Sequence, residues 1–598
     1  MTSLFQNKFT RAIIPVFAIL FFLSCQKDLS NEDGIISTGQ PADLTTKVTS
    51  SVSGFVTDEN DAAVMGASVT AGGVVTTTDK YGFFEVKNIQ VVKNAAVVVV
   101  TRPGYFKGIK TYLATADKAA FFRIKLIPKT NTGSINATSG GNVTLSNGLI
   151  IALPANAVVN AATNAAYSGT VNVAAHWINP VGADLNQTMP GDLRGIATDG
   201  SLKLLTTYGM AAVELTGGSG ELLQIATGKK ATLTMPVPAS LMATAPATIP
   251  LWSFDETNGL WKQEGTANKT GSTYVGEVSH FSFWNCDVPN NYVQFNCTII
   301  DQAGEPVPYA IVRLTVVGST NMAYGYTNAA GYVSGAVPNS ANLLLEVFSY
   351  YSCGTVLHSQ TFSTTNTNIS LGNITVNMAT QSAVVTGTVT NCANAPVTNG
   401  YIIVMENGWY NRHPISNTGT FNFPVLLCNN ATVPVTLIAE DVASGQQSTP
   451  ANYTLVVGAN AIGNLQACGI STQEFITYSI NGGTPVQLTS PADSLYHSGN
   501  GTTAVSYISG SRISINEYVN FAFANGGIAV GSMQNLVAFN SSQFANTQPT
   551  ITTPINVSIT EYGAVGQFIS GNFTGTMAST TPAATYNIVC SFRVRRNF

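Results

Sequence analysis

The amino-acid sequence predicts an all-β fold of tandem β-sandwich domains, and three observations support this prediction. Apolar and polar residues alternate over short runs separated by Asp, Asn, Gly or Pro, the pattern of antiparallel strands with one buried face. Only 9% of the residues are charged, whereas exposed helix faces are usually filled with Glu, Lys and Arg. One pattern of strands and turns also recurs three times along the chain.

The length predicts several domains. A chain of 598 residues exceeds what one hydrophobic core usually supports, so we expect domains of about 80 to 150 residues each. We predict a signal peptide at 1–24, a flexible tether at 25–47 and five β domains at 48–130, 131–287, 288–378, 379–469 and 470–598.

The first 25 residues indicate export. Lys8 and Arg11 form a basic start, and the apolar run Ala12–Leu23 completes the pattern. A membrane-spanning helix needs about 20 apolar residues, so this shorter run is typical of a secretory signal.

The end of this segment, Phe22-Leu23-Ser24-Cys25, resembles a bacterial lipobox, although Phe22 stands where Leu is commonest. The resemblance implies that Cys25 is acylated and becomes the mature N-terminus. Gln26-Lys27-Asp28 resembles the signal that directs lipoproteins of Bacteroidetes-type bacteria to the outer face of the outer membrane. An ordinary cleaved signal peptide is the alternative, but no Ala-x-Ala-like cleavage site precedes Ser24. We therefore expect a surface-exposed protein held in outer-membrane lipid through Cys25.

The charge distribution disfavours a nucleic-acid partner. The formal net charge is -4, and no basic stripe of the kind that binds phosphates is present. Arg593, Arg595 and Arg596 form only a minor cluster near the end of the chain. We expect no nucleic-acid ligand.

The cysteines predict disulfides, which exported proteins can form. Those beyond Cys25 are Cys286, Cys297, Cys353, Cys392, Cys428, Cys468 and Cys590. Their odd number leaves at least one unpaired or paired between chains. We predict structural disulfides in the region from Cys297 to Cys468, with the connectivity open.

The recurring pattern consists of a strand, a short apolar segment and a turn. The copies lie at Val52–Asp58, Val64–Val69 and Thr77–Phe84, at Phe295–Asp301, Gly304–Val312 and Thr327–Val333, and at Val385–Thr390, Ala395–Val397, Tyr401–Val404 and Thr418–Phe423. They resemble the carboxypeptidase regulatory-like domain, a seven-stranded, transthyretin-like β-sandwich. The resemblance implies such sandwiches at 48–130 and 288–378 and a divergent one at 379–469.

Two acidic turns of the first copy have a structural explanation. Asp and Gly can take positive φ, so Asp79 and Gly82 allow one strand to fold back on the next. Asp58, Glu59 and Asp61 form a second turn, for which a calcium site is the alternative to solvent exposure. Because no full set of oxygen ligands accompanies them, we predict no metal.

The middle region carries a second resemblance. Its segments LPANAV (153–158), LWSFDETNGLWK (251–262) and HFSFWN (280–285) resemble the extracellular β-rich module of cartilage intermediate layer protein. In that family, too, the module accompanies a regulatory-like sandwich.

The aromatic residues of this module are open to two interpretations, stacking on sugar rings or pairing inside a core. They are Trp252, Trp261, Phe281 and Trp284. Asp255–Gly259 predicts a turn between two strands, and aromatic residues paired across such a hairpin favour the core. We therefore assign no binding site to them, and we expect His280 to be a hydrogen-bonded core or edge residue.

The C-terminal region is also strand-like. Alternation predicts strands at Arg512–Asn516, Asn556–Tyr562 and Tyr586–Val594, and the segment 562–576 resembles C-terminal β-sandwich domains of Bacteroidetes surface proteins. Its distance along the chain from the lipid makes this region the natural place for contact with the outside.

A possible modification site lies in the same region. Asp493-Ser494-Leu495 fits the short Asp-Ser/Thr-apolar pattern of O-glycosylation in such bacteria. Ser494 is therefore the candidate acceptor.

Motifs of catalysis are missing from the sequence. None of the five histidines has the Glu spacing that zinc peptidases use, and the regulatory-like resemblance is to an accessory domain. No Gly-x-Ser-x-Gly or Gly-Lys-Ser/Thr motif occurs. We predict no enzyme, no catalytic residue, no cofactor and no metal.

Together these patterns predict a non-catalytic surface lipoprotein for binding or adhesion, built as beads of β-sandwich on a lipid tether. Its expected partner is an extracellular glycan or protein. One alternative is a structural spacer or accessory subunit of an envelope uptake complex. Another is an exported hydrolase with an unrecognised C-terminal active site.

Overall fold

The computed structural model confirms the all-β fold of tandem β-sandwiches. It describes residues 42–596 apart from 80, 320, 349–355, 379–381, 407–408, 428–430, 491–492, 500–504, 513–515, 525, 545–546, 564–567 and 581. The predicted signal peptide, Cys25 and most of the tether lie outside this part. Within it, no helix is long and apolar enough to cross a membrane.

The first sandwich packs a three-stranded sheet on a four-stranded one. Its strands are β1 (Lys47–Thr57), β2 (Ser68–Ala71), β3 (Val74–Thr77), β4 (Phe83–Val92), β5 (Ala96–Thr101), β6 (Gly108–Tyr112) and β7 (Ala119–Lys125). The sheets have the orders β4-β1-β7 and β3-β2-β5-β6. β1 runs antiparallel to β4 and parallel to β7. Val52, Val69 and Val98 are fully buried between the two sheets because inward positions alternate along each strand.

The middle module forms one large sheet system of 13 strands. Its strands are β8 (Asn131–Asn136), β9 (Gly141–Thr144), β10 (Ile150–Leu153), β11 (Val158–Asn160), β12 (Thr170–Ile178), β13 (Arg194–Ile196), β14 (Leu202–Thr216), β15 (Leu222–Ile225), β16 (Ala231–Pro236), β17 (Thr248–Asp255), β18 (Leu260–Thr270), β19 (Thr273–Val278) and β20 (Phe283–Asn290). A short helix, α1 (Leu185–Thr188), and a 3-10 turn at Ala239–Leu241 interrupt them.

The second sandwich repeats the three-on-four plan, and the third packs a three-stranded sheet on a six-stranded one. The second has β21 (Tyr292–Ile300), β22 (Ile311–Val316), β23 (Met322–Tyr326), β24 (Tyr332–Pro338), β25 (Asn342–Phe348), β26 (Val356–Ser363) and β27 (Ile369–Thr375). The third has β28 (Ser382–Asn391), β29 (Gly400–Glu406), β30 (Trp409–Pro414), β31 (Thr420–Leu426), β32 (Thr432–Asp441), β33 (Gln446–Gln447), β34 (Ala451–Val456), β35 (Gly458–Ala467) and β36 (Ile470–Ser471). Their three-stranded sheets, β24-β21-β27 and β31-β28-β35, match that of the first sandwich, including the parallel pairing of the outer strand.

The C-terminal sandwich is a ten-stranded sheet that closes over one core. Its strands are β37 (Phe475–Ile480), β38 (Val486–Thr489), β39 (Ser494–Ser498), β40 (Val505–Arg512), β41 (Glu517–Ala524), β42 (Met533–Ser541), β43 (Thr550–Ile551), β44 (Asn556–Tyr562), β45 (Phe568–Thr580) and β46 (Ala583–Arg595). Of the predicted strand at Arg512–Asn516, positions 513–515 lie outside the described residues, and Arg512 at the end of β40 pairs with Glu517 at the start of β41. Asn516 has a φ of 53°, a left-handed conformation that suits a turn.

The turn after the first strand recurs in all three regulatory-like sandwiches. Asp58, Asp301 and Asn391 each accept two backbone N–H bonds at their Oδ1 atom, from the residues two and four positions later. Such a side chain stabilises a tight turn by satisfying its backbone donors. The sequence repeat is therefore a repeat of local hydrogen bonding.

The later turn recurs as well. Asp79 Oδ1 accepts bonds from the N–H groups of Tyr81 and Phe83. Gly82 has a φ of +74°, and a Cβ placed there would lie 2.3 Å from the carbonyl oxygen of Val56. Glycine is required because of this close approach as well as the positive φ.

The three regulatory-like sandwiches are packed against one another, so they are not simply beads in a row. Three buried aromatic residues of the first sandwich, Phe55, Phe83 and Phe121, form a cluster with Tyr309 of the second sandwich and, at its margin, Tyr410 of the third. Aromatic rings at a junction bury much apolar area and fix its geometry. The first sandwich therefore contacts both the second and the third sandwich.

The first sandwich also shares a core with the middle module. Phe106 and Ile109 of the first sandwich are buried in one cluster with Trp252, Trp261 and Phe283 of the module. Sequence alternation predicts which residues of a strand are buried but not the partner that covers them, so this contact was not predicted.

A disulfide between Cys392 and Cys468 joins the ends of the parallel strands β28 and β35. It confirms the prediction of a disulfide in this region. Cys297, in contrast, is free, because its side chain points into the core of the second sandwich. Cys286 and Cys590 are also free and buried, and burial raises the pKa of each of the three thiols. Cys353 and Cys428 lie outside the described residues.

Candidate ligand-binding cleft

The tryptophans of the middle module lie in the core, as the hairpin pattern predicts. Trp252, Trp261 and Trp284 are at most 1% exposed, and Phe281 is 7% exposed. The strands β17 and β18 pair across the predicted turn, with Phe254 opposite Trp261. These residues therefore offer no surface for a sugar.

His280 is an edge residue that hydrogen bonds, also as predicted. Its Nε2 atom lies 3.0 Å from a carboxylate oxygen of Glu264, and its ring packs on Trp284 with centroids 5.1 Å apart. The indole N–H of Trp284 donates to the carbonyl oxygen of His280. These contacts hold the residue in place and explain it without a ligand.

The acidic turn at Asp58–Asp61 is held by local contacts. Asp58 accepts backbone bonds from Asn60 and Ala62, and Asp61 forms a salt bridge of 2.7 Å with Lys125. Across the described part of the chain, no group of three or more His, Cys, Asp or Glu residues is arranged to hold a metal ion.

The candidate glycosylation residue Ser494 begins strand β39 and is exposed. The preceding residue, Asp493, is buried, and both of its carboxylate oxygens accept bonds from Arg512. The hydrogen bonds from Arg512 hold the pKa of Asp493 below its usual value. Ser494 is therefore exposed to solvent, whereas Asp493 has a structural role through its bonds with Arg512.

An open cleft of about 460 Å³ lies on the outer face of the C-terminal sandwich. It is lined by Phe475, Thr560, Glu561, Ser570, Gly571, Asn572, Ser591, Phe592 and Arg593. These residues come from β37, β44, β45 and β46, which are neighbours in the sheet. The register between β44 and β45 shifts between Ile559 and Glu561, and such a bulge re-aims side chains and opens the surface locally.

The centre of the cleft is an ion pair. Arg593 donates to both carboxylate oxygens of Glu561, over 2.7 and 3.2 Å, and Ser570 donates to Oε2 of the same carboxylate. Desolvation raises the pKa of Glu561, but the bonds from Arg593 and Ser570 outweigh it, so the pKa lies below its usual value. Glu561 is therefore ionised and its charge is balanced.

The guanidinium of Arg593 is held by hydrogen bonds and by packing on an aromatic ring. It donates to the carbonyl oxygens of Ser471 and Gln473, and it lies 3.6 Å from the ring centroid of Phe568. A group held by packing and several hydrogen bonds is preorganised to meet a ligand without losing much entropy.

The chemistry of this cleft is hydrogen bonding. The exposed amide of Asn572 and the hydroxyls of Ser570, Ser591 and Thr560 supply donors and acceptors beside an aromatic ring, that of Phe475. A balanced ion pair with a lowered carboxyl pKa is suited to orient a polar ligand, whereas a general acid needs a raised pKa.

Sequence reasoning did not find this cleft, although a signal was present. The region 470–598 contains few charged residues. Glu561 stands in a strand that is otherwise neutral, and Arg593 shares its strand with Arg595. An isolated charge in a strand requires a partner. Only the pairing of strands that are remote in sequence shows that the partner of Glu561 is Arg593.

Comparison with protein families and curated proteins gives a limited likeness. No family profile matches the chain. The chain is 32% identical over 139 residues to cartilage intermediate layer protein 2 of Homo sapiens, covering 21% of this chain and 12% of that protein. It is 32% identical over 106 residues to the Mus musculus protein, covering 18% and 9%. The chain thus matches only a small part of these relatives, in agreement with a multi-domain β-sandwich protein.

Comparison with solved structures gives pilins and one further protein. The shaft pilin SpaA of Lactobacillus rhamnosus GG has 12% identity, covering 30% of this chain and 99% of the pilin at a TM-score of 0.16. The major pilin subunit BcpA of Bacillus cereus has 7% identity, covering 71% and 100% at 0.12. The Bacillus anthracis TIE protein has 8% identity, covering 71% and 50% at 0.15. These values are too low to carry the function of those proteins over to this chain.

Proposed function

We propose that this chain is a non-catalytic surface lipoprotein that binds an extracellular glycan or protein through its C-terminal sandwich. Acylated Cys25 holds it in the outer membrane of a Bacteroidetes-type bacterium, exposed to the outside. The proposal combines the lipobox-like segment with the cleft centred on Glu561 and Arg593.

The observation that carries the proposal is the state of this ion pair. Arg593 and Ser570 keep the carboxylate of Glu561 ionised and oriented at the surface, beside the exposed amide of Asn572. Polar groups placed this way select a ligand by the geometry of its hydroxyl or amide groups. The cleft is therefore suited to recognition.

A spacer function is the second candidate, and the packing of the sandwiches favours it. Arg412 of the third sandwich, itself 7% exposed, bridges Asp79 of the first sandwich and Glu440 of its own sheet, at 2.6 and 2.8 Å. Contacts of this kind join the three regulatory-like sandwiches into one compact body. Such a body is suited to hold the C-terminal sandwich away from the membrane.

The cleft is tested with the full chain purified in detergent. Glycan arrays and pull-downs from extracellular fractions identify a ligand, and its affinity is then measured for the Asn572→Ala variant. We expect binding to weaken about threefold to tenfold, since one net hydrogen bond contributes about 0.5–1.5 kcal/mol. The matched control is Asn587→Ala, an exposed amide on the same sheet outside the cleft.

Equal affinities of the two variants would refute the cleft as the binding site. A full chain that captures no glycan and no protein would refute binding altogether and favour the spacer. The anchor is tested separately, because a Cys25→Ala variant should lose acyl labelling with radioactive palmitate and leave the membrane fraction. Retained labelling would contradict lipidation at Cys25.

A further inference from the structure

A second surface of the C-terminal sandwich carries tyrosines instead of an ion pair. It is the outer side of strands β39 to β42, and we call it the tyrosine face. Its central residues are Tyr496, Tyr507, Ser509, Asn520 and Asn540.

Strand register places these residues side by side. Tyr496 lies opposite Ser509, Ser509 opposite Asn520, and Asn520 opposite Asn540, so the four form one row across the sheet. Tyr507 pairs with Ser498 and is therefore the diagonal neighbour of Tyr496. Diagonal neighbours in a sheet lie about 7–8 Å apart. One ring thus stands at the end of a row of hydroxyl and amide groups, and the other ring stands beside this row.

Both rings are accessible to solvent. Tyr496 is 37% exposed and Tyr507 is 39% exposed. The residue opposite Tyr507 on β41 is Ala522, which is only 7% exposed although it points outward. A small side chain covered in this way leaves room for the ring to lie over the sheet and present its face to solvent.

The tyrosine face is electrically neutral over the positions that the structure describes. The nearest charges, Asp493, Arg512 and Glu517, lie at one end of these strands, where the buried Asp493 pairs with the partly exposed Arg512. Nucleic acids and acidic polysaccharides need cations, which are missing among the described residues of this face.

We infer that the tyrosine face binds a neutral saccharide that belongs to another molecule. The C–H groups of a sugar ring pack on the faces of Tyr496 and Tyr507, since aromatic faces carry partial negative charge. The hydroxyl groups of the sugar bond to Ser509, Asn520 and Asn540. This inference extends the proposed binding function to a site separate from the cleft.

The experiment uses the full chain in detergent on an array of neutral mannan, glucan, galactan and xylan oligosaccharides, with oligogalacturonate as the acidic probe. We expect at least one neutral oligosaccharide to bind, with an affinity that does not change between 0.05 and 0.5 M salt, as follows for an uncharged contact. Tyr496→Ala and Tyr507→Ala should each weaken this binding at least tenfold. Tyr324→Ala is the matched control, because Tyr324 is 36% exposed on the second sandwich.

Several results would overturn the inference. One is the absence of binding to every neutral probe, and another is an affinity unchanged in both tyrosine variants. Binding that is lost in Asn572→Ala but kept in the tyrosine variants would refute the tyrosine face while supporting the cleft. New binding that appears only in Ser494→Ala would show that a glycan on the chain itself covers this face, and would refute an external ligand as its native occupant.

Discussion

The glycines of the repeated turn offer a quantitative test of the fold. Gly82 and Gly104 both lie in the first sandwich with positive φ, at +74° and +84°. A Cβ at Gly82 would lie 2.3 Å from the carbonyl oxygen of Val56, whereas a Cβ at Gly104 would meet nothing within 4 Å. The pair of Ala variants therefore separates a steric contact from backbone strain.

The expected magnitudes follow from this geometry. Alanine in the left-handed region costs about 1–2 kcal/mol, and this cost applies to both variants. In Gly82→Ala the backbone at Val56 must also move by about 1 Å to reach ordinary contact. The N–H of Val56 donates to Gly82, and its carbonyl oxygen accepts from Val64. Disturbing these two bonds adds about 1–3 kcal/mol, for a total of about 2–5 kcal/mol.

The assay is native-state hydrogen exchange of the amides of Val56 and Val64 in the full chain. We expect exchange to speed up much more in Gly82→Ala than in Gly104→Ala. The second sandwich offers a repeat of the comparison, because Gly331 meets the carbonyl oxygen of Ile299 at 2.3 Å and Gly304 meets nothing. Equal effects within either pair would refute the argument that close approach, rather than φ alone, requires glycine.

Two further predictions concern the third sandwich. Burial lowers the pKa of His413 to about 3, below the unfolded value of about 6.5. The unfolded state therefore binds the proton more tightly than the folded state. The free energy of unfolding falls by about 4 kcal/mol as the pH drops from 6.5 towards 3. His413→Phe, which keeps the stacking on Phe423, should flatten this dependence in urea unfolding at pH 7 and 4.5, and an unchanged slope would contradict the assignment. The disulfide between Cys392 and Cys468 closes a separation of 76 residues, which constrains the unfolded chain by about 4 kcal/mol. The Cys392→Ser/Cys468→Ser variant should unfold at a lower urea concentration than the unaltered protein, whereas equal urea resistance would show that the bond contributes nothing.

Local features of this fold could be predicted from the sequence, and contacts between units could not. The turn at Asp255–Gly259 and the burial of Trp252 and Trp261 follow from alternation and turn residues, which act within a few positions. The pairing of Arg512 with Glu517 was not predicted, because alternation along the sequence does not indicate which strands pair. Tyr309 lies buried against the first sandwich. The residues next to it in the sequence do not indicate this contact.

The pairing of charges shows the same limit. Glu561 and Arg593 lie in different strands, and nothing in either strand identifies the other. Their ion pair forms because β45 lies beside both β44 and β46 and places them on one face. A cleft built in this way depends on register, which the sequence specifies only through the whole sheet.

One position of the repeated turn nevertheless links local and long-range structure. Asp79 uses Oδ1 for its own turn and Oδ2 for Arg412 of the third sandwich, at 2.6 Å. Asn328 uses Oδ1 for its own turn and Nδ2 for the carbonyl oxygen of Ala119 in the first sandwich, at 2.7 Å. Ser416 has a single polar atom, which accepts the N–H groups of its own turn and bonds only to hydroxyls within four residues. Asp and Asn can stabilise the turn and the interface together because their side chains carry two polar atoms. The residue type at this position therefore distinguishes the two turns that bond to a neighbouring sandwich from the third turn, whose described bonds are local.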